Sequence, residues 1–287
     1  MKDELKRGLE KAWAFSMMSM VMPVGIPEKV YSSGLIEWAD VIYSIKVPQV
    51  SDYESFRENQ GIVGWIHPIG SGEQFMAECV PVKNMPVFDI TNRISTRHYH
   101  GKIETLNVPR DITFGNSVLA GYASAMHAIM LRGGITQCDK VAVFGSGNVA
   151  FGILKYLANR GILPIQRRRN NISLLENEFQ NYDIFINAVE IGEGDKPIVT
   201  HKMIDSMKSD GWIIDAAADA GRAIEGTQYT SIESPIYSDK QGHTFYVVNN
   251  SPSLLYRESS EIVSEGYAKY FWSKPMNYWY SDDCLLR

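Results

Sequence analysis

One turn constrains this chain more than any other stretch. Val141-Ala-Val-Phe-Gly145-Ser146-Gly147-Asn148-Val149-Ala150-Phe-Gly152 has the form GxGxxA. It follows a short apolar run that reads as a buried strand and opens a segment, 147–159, that reads as a helix. Each position then has a physical task. Gly145 lets the chain turn tightly, Gly147 leaves room for a pyrophosphate against the backbone, and Ala150 lets the helix pack close to the strand. The helix N-terminus adds N–H groups with no internal partner and the positive end of the helix dipole. A glycine turn needed only for packing is the plainer alternative, and the strand–turn–helix setting weighs against it.

The next strand-like segment, Ile162–Gln166, runs into Arg167-Arg168-Arg169. An NAD site usually carries Asp or Glu there, about 20 residues past the first glycine, to hold the ribose hydroxyls. No acid is present, and guanidinium groups at Arg167 and Arg168 suit the 2′-phosphate of NADPH. The plainer reading of the same residues is a solvated basic loop.

Around that turn the chain alternates strand-like and helix-like segments, which predicts an open, mostly parallel α/β sheet. Asp40–Lys46, Gly61–His67 and Pro86–Ile90 read as strands, Gln74–Cys79 as a short helix, and 91–113 as irregular. A long apolar helix over 116–131 starts a second series, with further strands at 140–144, 183–187 and 212–215. The expected fold is therefore two-domain α/β. A Rossmann-type doubly wound domain spans 116–252, and a shortened α/β substrate domain combines 1–115 with an aromatic-rich helical segment, 253–287, folded back over it.

Composition narrows the function. The 287 residues are 45% hydrophobic and 21% charged, so a folded chain is expected. A net charge of −5 offers no footprint for nucleic acid or an anionic membrane. Three cysteines without a CxxC pair indicate neither a disulfide framework nor a zinc site. The N-terminal residues show no signal-peptide pattern, and no apolar run is long enough to span a bilayer, so a soluble, reducing, cytoplasmic protein is the expectation.

Lys46 and His67 stand at the ends of two predicted strands, where open α/β sheets bind ligands. Lys46 suits a substrate carboxylate, and His67 suits acid–base work near neutral pH. A surface lysine and a structural histidine are the plainer readings. Asp215-Ala-Ala-Ala-Asp219-Ala-Gly221 places two acids beside small residues. Asp219 suits orientation of a histidine or a proton relay, whereas a helix N-cap at Asp215 or a turn at Asp219 would be structural only.

Beyond these patterns, the chain resembles the N5-(carboxyethyl)ornithine synthases of the alanine dehydrogenase and transhydrogenase superfamily. The stretches that carry the likeness include Ser44-Ile-Lys-Val-Pro-Gln49, Ile62-Val-Gly-Trp-Ile-His-Pro-Ile-Gly-Ser-Gly72, Ile186-Asn-Ala-Val-Glu-Ile-Gly192, Asp215–Gly226 and Tyr246-Val-Val-Asn-Asn-Ser-Pro-Ser-Leu254. The resemblance implies that pyruvate condenses with the side-chain amine of ornithine or lysine and that NADPH reduces the imine. It implies that Lys46 binds the keto-acid carboxylate, that His67 hydrogen-bonds the keto oxygen and moves protons, and that Asp219 supports the transfer. Asn250 then lies near substrate, and Ser117, Ala188 and Val189 join the glycine turn at the cofactor. A homodimer or larger homo-oligomer is expected.

One departure stands out. Residues 1–30 read as a helix over 3–20 followed by Met-Pro-Val-Gly-Ile-Pro, not as the opening strand and early substrate arginine of the superfamily. Either a replacement such as Arg97 or Arg110 binds the carboxylate, or ornithine with pyruvate is a poor pair. Reduction of another imine or dehydroamino acid, and a non-catalytic NADPH-binding role, are the alternatives. Retention of Lys46, His67 and Asp219 speaks against the latter.

Overall fold

Strands buried on both faces must be apolar at every position, and the segments around the glycine turn meet that demand. The computed structural model of the protein describes residues 36, 39–91, 94–108, 111–192, 195–218, 221–272, 274 and 278. These fall into two units: the described residues up to Thr113 together with those from Tyr256 onward, and Phe114–Leu255. The first part of the chain forms β1 (Val41–Ser44), β2 (Gly61–Gly64), α1 (Val80–Lys83), β3 (Val87–Asp89), β4 (Thr96–Tyr99) and β5 (Lys102–Thr105). Then come α2 (Asp111–Leu131), β6 (Val141–Phe144), α3 (Asn148–Asn159), β7 (Ile165–Arg167), α4 (Ile172–Glu178), β8 (Ile184–Asn187), α5 (His201–Ser206), β9 (Trp212–Asp215), β10 (Ile236–Ser238), β11 (Thr244–Tyr246) and α6 (Tyr256–Tyr267).

The second unit is built on a six-stranded sheet of order β10-β11-β9-β8-β6-β7. All of its pairings are parallel except β10 with β11. Strand alternation divides the core into two layers. Val141 and Val143 of β6 pack with Ile184, Ile186 and Ile214 against Ala128 and Ile129 of α2 and Ala150, Ile153 and Leu157 of α3. Ala142 and Phe144 pack on the other side with Phe185 and Ile213, under Leu175, Phe179 and Met203. Helices on both faces of a mostly parallel sheet are the doubly wound, Rossmann-type arrangement expected from the sequence.

Helix α2 meets the first turn of α3 backbone to backbone. A Cβ on Gly121 would lie 1.9 Å from the Val149 carbonyl oxygen, and one on Gly152 would lie 1.9 Å from that of Val118. No side chain fits at either position, so these two glycines fix how closely the helices approach.

The first unit carries a five-stranded sheet of order β1-β2-β3-β4-β5, with β1 to β3 parallel and β4 and β5 antiparallel. The irregular segment expected over 91–113 is therefore in part a hairpin. His100 (φ +47°) and Gly101 (φ +72°) form its two-residue loop, both left-handed as a type I′ turn demands. The strand escaped pattern reading because its buried position is filled by Arg97. That side chain is 1% exposed, salt-bridged to Glu104 at 2.9 Å, and lies over the Phe88 and Tyr99 rings.

One layer of this core joins Tyr43, Val63, Trp65 and Phe88 to Val263 and Tyr267 of α6 and to Phe271 just beyond it. The Tyr267 hydroxyl donates to the Ser44 carbonyl at 2.9 Å, which ties α6 to the end of β1. The short helix expected over Gln74–Cys79 is a π-helical turn, Phe75–Cys79, followed by α1. The helix expected over 3–20 and the question of the opening strand lie outside the described residues.

Gly152→Val should destabilise the second unit by about 3 kcal/mol or more, since the clash is with backbone that cannot rotate away. The midpoint of urea unfolding checks this.

Candidate functional site

The glycine turn of the second unit has the shape a dinucleotide needs. Gly145 sits at φ +129°, and its N–H donates to the Arg167 carbonyl at 2.9 Å. A Cβ there would press on Val189 Cγ2 at 3.0 Å and on Ala188 Cβ at 3.2 Å. At Gly147, by contrast, a Cβ would meet nothing within 4 Å. Gly147 is the extended N-cap of α3, and its helix end has no side-chain cap. Ser146 and Gly147 are exposed, Asn148 and Val149 half-buried, and Ala150 fully buried under the helix. The first-turn N–H groups of a 12-residue helix therefore border open space, which fits a pyrophosphate.

The basic strand end is less uniform than its sequence. Gln166 donates from Nε2 to the Gly145 carbonyl at 2.8 Å, so its side chain lies on the face of the turn. Arg167 points the opposite way, as period-two alternation requires. Its guanidinium grips Glu178 of α4 with contacts of 2.7–3.0 Å, and the Tyr182 hydroxyl donates to the same carboxylate at 2.7 Å. The Tyr182 hydroxyl and Arg167 hold the Glu178 carboxyl below its usual range. Arg168 is exposed and its backbone is extended (φ −134°, ψ 172°), so continued alternation past β7 directs it to the side of Gln166. Arg169 reaches toward the Glu190 carbonyl at 3.4 Å.

Ser117 is half-buried on α2, one turn before the Gly121 contact with α3. The Asn250 backbone carbonyl accepts from Ser253 N at 3.1 Å and Ser253 Oγ at 2.7 Å. Ser251, next to it, donates to the Ala120 carbonyl at 3.2 Å and accepts from Ser124 at 2.8 Å. Those buried hydroxyls anchor the turn that bears Asn250 to α2. Asp219 lies outside the described residues.

In the first unit the structure brings Lys46 and His67 together beyond the ends of neighbouring parallel strands β1 and β2. Lys46 is an exposed residue by surface area, and the desolvation of its ammonium by the surrounding protein lowers its pKa. Burial also lowers the His67 pKa; the Lys46 charge adds to the fall and the Asp89 charge opposes it.

Asp89 is the residue that sequence reasoning missed. Its carboxylate is 1% exposed and accepts from Ile66 N at 3.2 Å, Thr91 N at 3.1 Å and the Thr91 hydroxyl. Thr91 Oγ1 in turn accepts from His67 N at 2.9 Å. The network holds His67 in the left-handed region, at φ +50°, which a residue with a Cβ adopts only under constraint. The available signal was an acid interrupting the apolar strand Val-Phe-Asp-Ile. Arg97, one expected replacement for the early arginine, is enclosed in its own sheet, and Arg110 lies outside the described residues. Among the described residues no group of three His, Cys, Asp or Glu is placed to hold a metal ion, and no helix is long and apolar enough to cross a membrane.

Fold and glycine turn together define a protein with a Rossmann-type dinucleotide unit. The family model for the alanine dehydrogenase/PNT C-terminal domain matches residues 120–279. N(5)-(carboxyethyl)ornithine synthase of Clostridium botulinum is 40% identical over 242 residues, covering 83% of this chain and 75% of its own length. The enzyme of that name from Lactococcus lactis subsp. lactis (strain IL1403) is 39% identical over 228 residues, covering 79% and 74%. A transhydrogenase structure from Sinorhizobium meliloti has the same fold, with a TM-score of 0.63 at 16% identity over 92% of this chain and 88% of that one. The chain belongs to the N(5)-(carboxyethyl)ornithine synthase family, within the alanine dehydrogenase and transhydrogenase superfamily. That superfamily binds nicotinamide cofactors.

Asp89→Asn should make both His67 and His98 titrate at lower pH than in the wild-type protein, because the Asp89 charge raises both pKa values against burial. NMR titration of the imidazole ring protons checks the direction.

Proposed function

We propose that this protein is an NADPH-dependent oxidoreductase that joins a pyruvate-like 2-keto acid to the side-chain amine of an ornithine- or lysine-like amino acid by reducing their imine. The observation that carries the reading is the Lys46–His67 pair beyond neighbouring strand ends, in a chain 39–40% identical to named N(5)-(carboxyethyl)ornithine synthases.

A partly desolvated ammonium gains more from a carboxylate than one in bulk water does, which suits Lys46 to anchor the keto acid. With its pKa lowered, His67 is neutral near pH 7. It carries the two amine N–H protons in turn to the keto oxygen, the first giving the carbinolamine hydroxyl and the second letting that hydroxyl leave as water, so the imine forms with no net change at the ring; a solvent proton taken up by the ring is then available to the nitrogen when hydride reaches the carbon. The bound nicotinamide supplies the hydride for the imine carbon. Asp219 keeps the supporting role that the family resemblance gives it. The open space at Gly147 and the first turn of α3 support pyrophosphate binding there, with Ser117, Ala188 and Val189 around it and Asn250 toward the substrate. Arg168, on the face of the turn, is the better placed of the two arginines for a 2′-phosphate, because Glu178 occupies Arg167.

Purified protein should oxidise NADPH only when a keto acid and an amine are both present; no turnover with any pair, pyruvate and ornithine included, would overturn the reading. His67→Ala should lower turnover about 10²- to 10⁴-fold with cofactor affinity little changed. Arg168→Ala should reduce the preference for NADPH over NADH about 10- to 150-fold, and Arg167→Ala by much less, as read from paired binding titrations.

A further inference from the structure

We propose that Asn187 and Asp215 are a positioning pair that sets one wall of the dinucleotide site by pinning the turn at Ala188 and Val189. The inference rests on the reading that the Gly145 turn holds the cofactor.

Both residues end their strands, β8 and β9, directly opposite one another in the parallel register, and both are fully buried. Asn187 Nδ2 donates to Asp215 Oδ1 at 3.0 Å and to the Val189 carbonyl at 2.9 Å, while Asn187 Oδ1 accepts from Val189 N at 3.1 Å. One side-chain amide thus closes both backbone groups of Val189, and the Asp215 carboxylate fixes the amide's orientation. The turn itself is tied to β6, where Ala188 N donates to the Phe144 carbonyl at 2.9 Å. The isopropyl group of Val189 then stands against Gly145, with Cγ2 3.0 Å from where a Cβ would lie.

Polar side chains buried at the ends of β8 and β9, on the face that carries Phe185 and Ile213, are costly even when hydrogen-bonded, so packing alone does not explain them. Nor is Asp215 the helix cap its sequence position suggested. The 216–218 turn bonds through backbone, Ala218 N to the Asp215 carbonyl at 3.2 Å, and the Asp215 carboxylate turns to Asn187. A shift of Val189 would move the wall of the glycine turn, whereas Lys46 and His67 are held by the other unit's own sheet, so the pair should govern cofactor KM rather than kcat.

The test uses the whole chain with NADPH as probe, reading affinity by fluorescence titration and the KM–kcat split by steady-state assay. Asn187→Ala and Asp215→Asn should each raise the NADPH Kd and KM about tenfold with kcat changed less than about threefold. The exchanged double variant, Asn187→Asp with Asp215→Asn, restores two of the three side-chain bonds and should recover part of the loss. Val189→Ala leaves the buried pair intact and should raise KM on its own; it decides the matter if the others do not fold. Wild-type KM in Val189→Ala, or a fall in kcat with KM unchanged in Asn187→Ala, overturns the proposal. Gly147→Val separates the two levels. If it also binds NADPH as wild type does, the reading of the turn fails; if it abolishes binding while Asn187→Ala and Val189→Ala do not weaken it, only the positioning role fails.

Discussion

The central strands of both sheets carry apolar side chains on both faces, and this confines polar chemistry to their ends. In the second unit β6, β8 and β9 bury Val141–Phe144, Ile184–Ile186 and Ile213–Ile214 between two helical layers. The first polar side chains beyond the apolar runs are then Gln166 and Arg167, Asn187, and Asp215, all at C-terminal ends. Lys46, His67 and Asp89 obey the same rule in the first unit. Parallel strands leave the glycine turn and its neighbours on one edge of the sheet, which is why residues remote in sequence line one site.

Side chains at those ends lie between water and core, and each resolves that conflict differently. Asp89 is buried and answered by two backbone N–H groups and a hydroxyl, and its charge raises the pKa values of His67 and His98 against their burial. Asn187 and Asp215 answer one another. Lys46 and His67 keep the consequences of burial as lowered pKa values.

The Arg167–Glu178–Tyr182 cluster shows how close the two outcomes are. Adjacent arginines of identical chemistry face opposite sides of the strand end. One is consumed by the helix packed beneath it, and the other is left on the face of the glycine turn.

By itself the sequence determined the α/β class, the glycine turn and its helix, and the placement of Lys46 and His67 at strand ends. These are local properties: apolar runs, the steric needs of a tight turn, and the helix start that follows it. Tertiary structure decided what depends on partners distant in the chain. The β4–β5 hairpin exists because Arg97 found Glu104, Phe88 and Tyr99 to bury against, which no hydrophobic pattern announces. The close approach of α2 and α3 needed Gly121 and Gly152 to face each other's helix backbone across about 30 residues of chain. Asp89, Asn187 and Asp215 each read in sequence as an interruption or an end of a strand. Their task became visible only when the fold gave each a specific donor or acceptor, because a hydrogen bond is set by distance and angle and not by residue type.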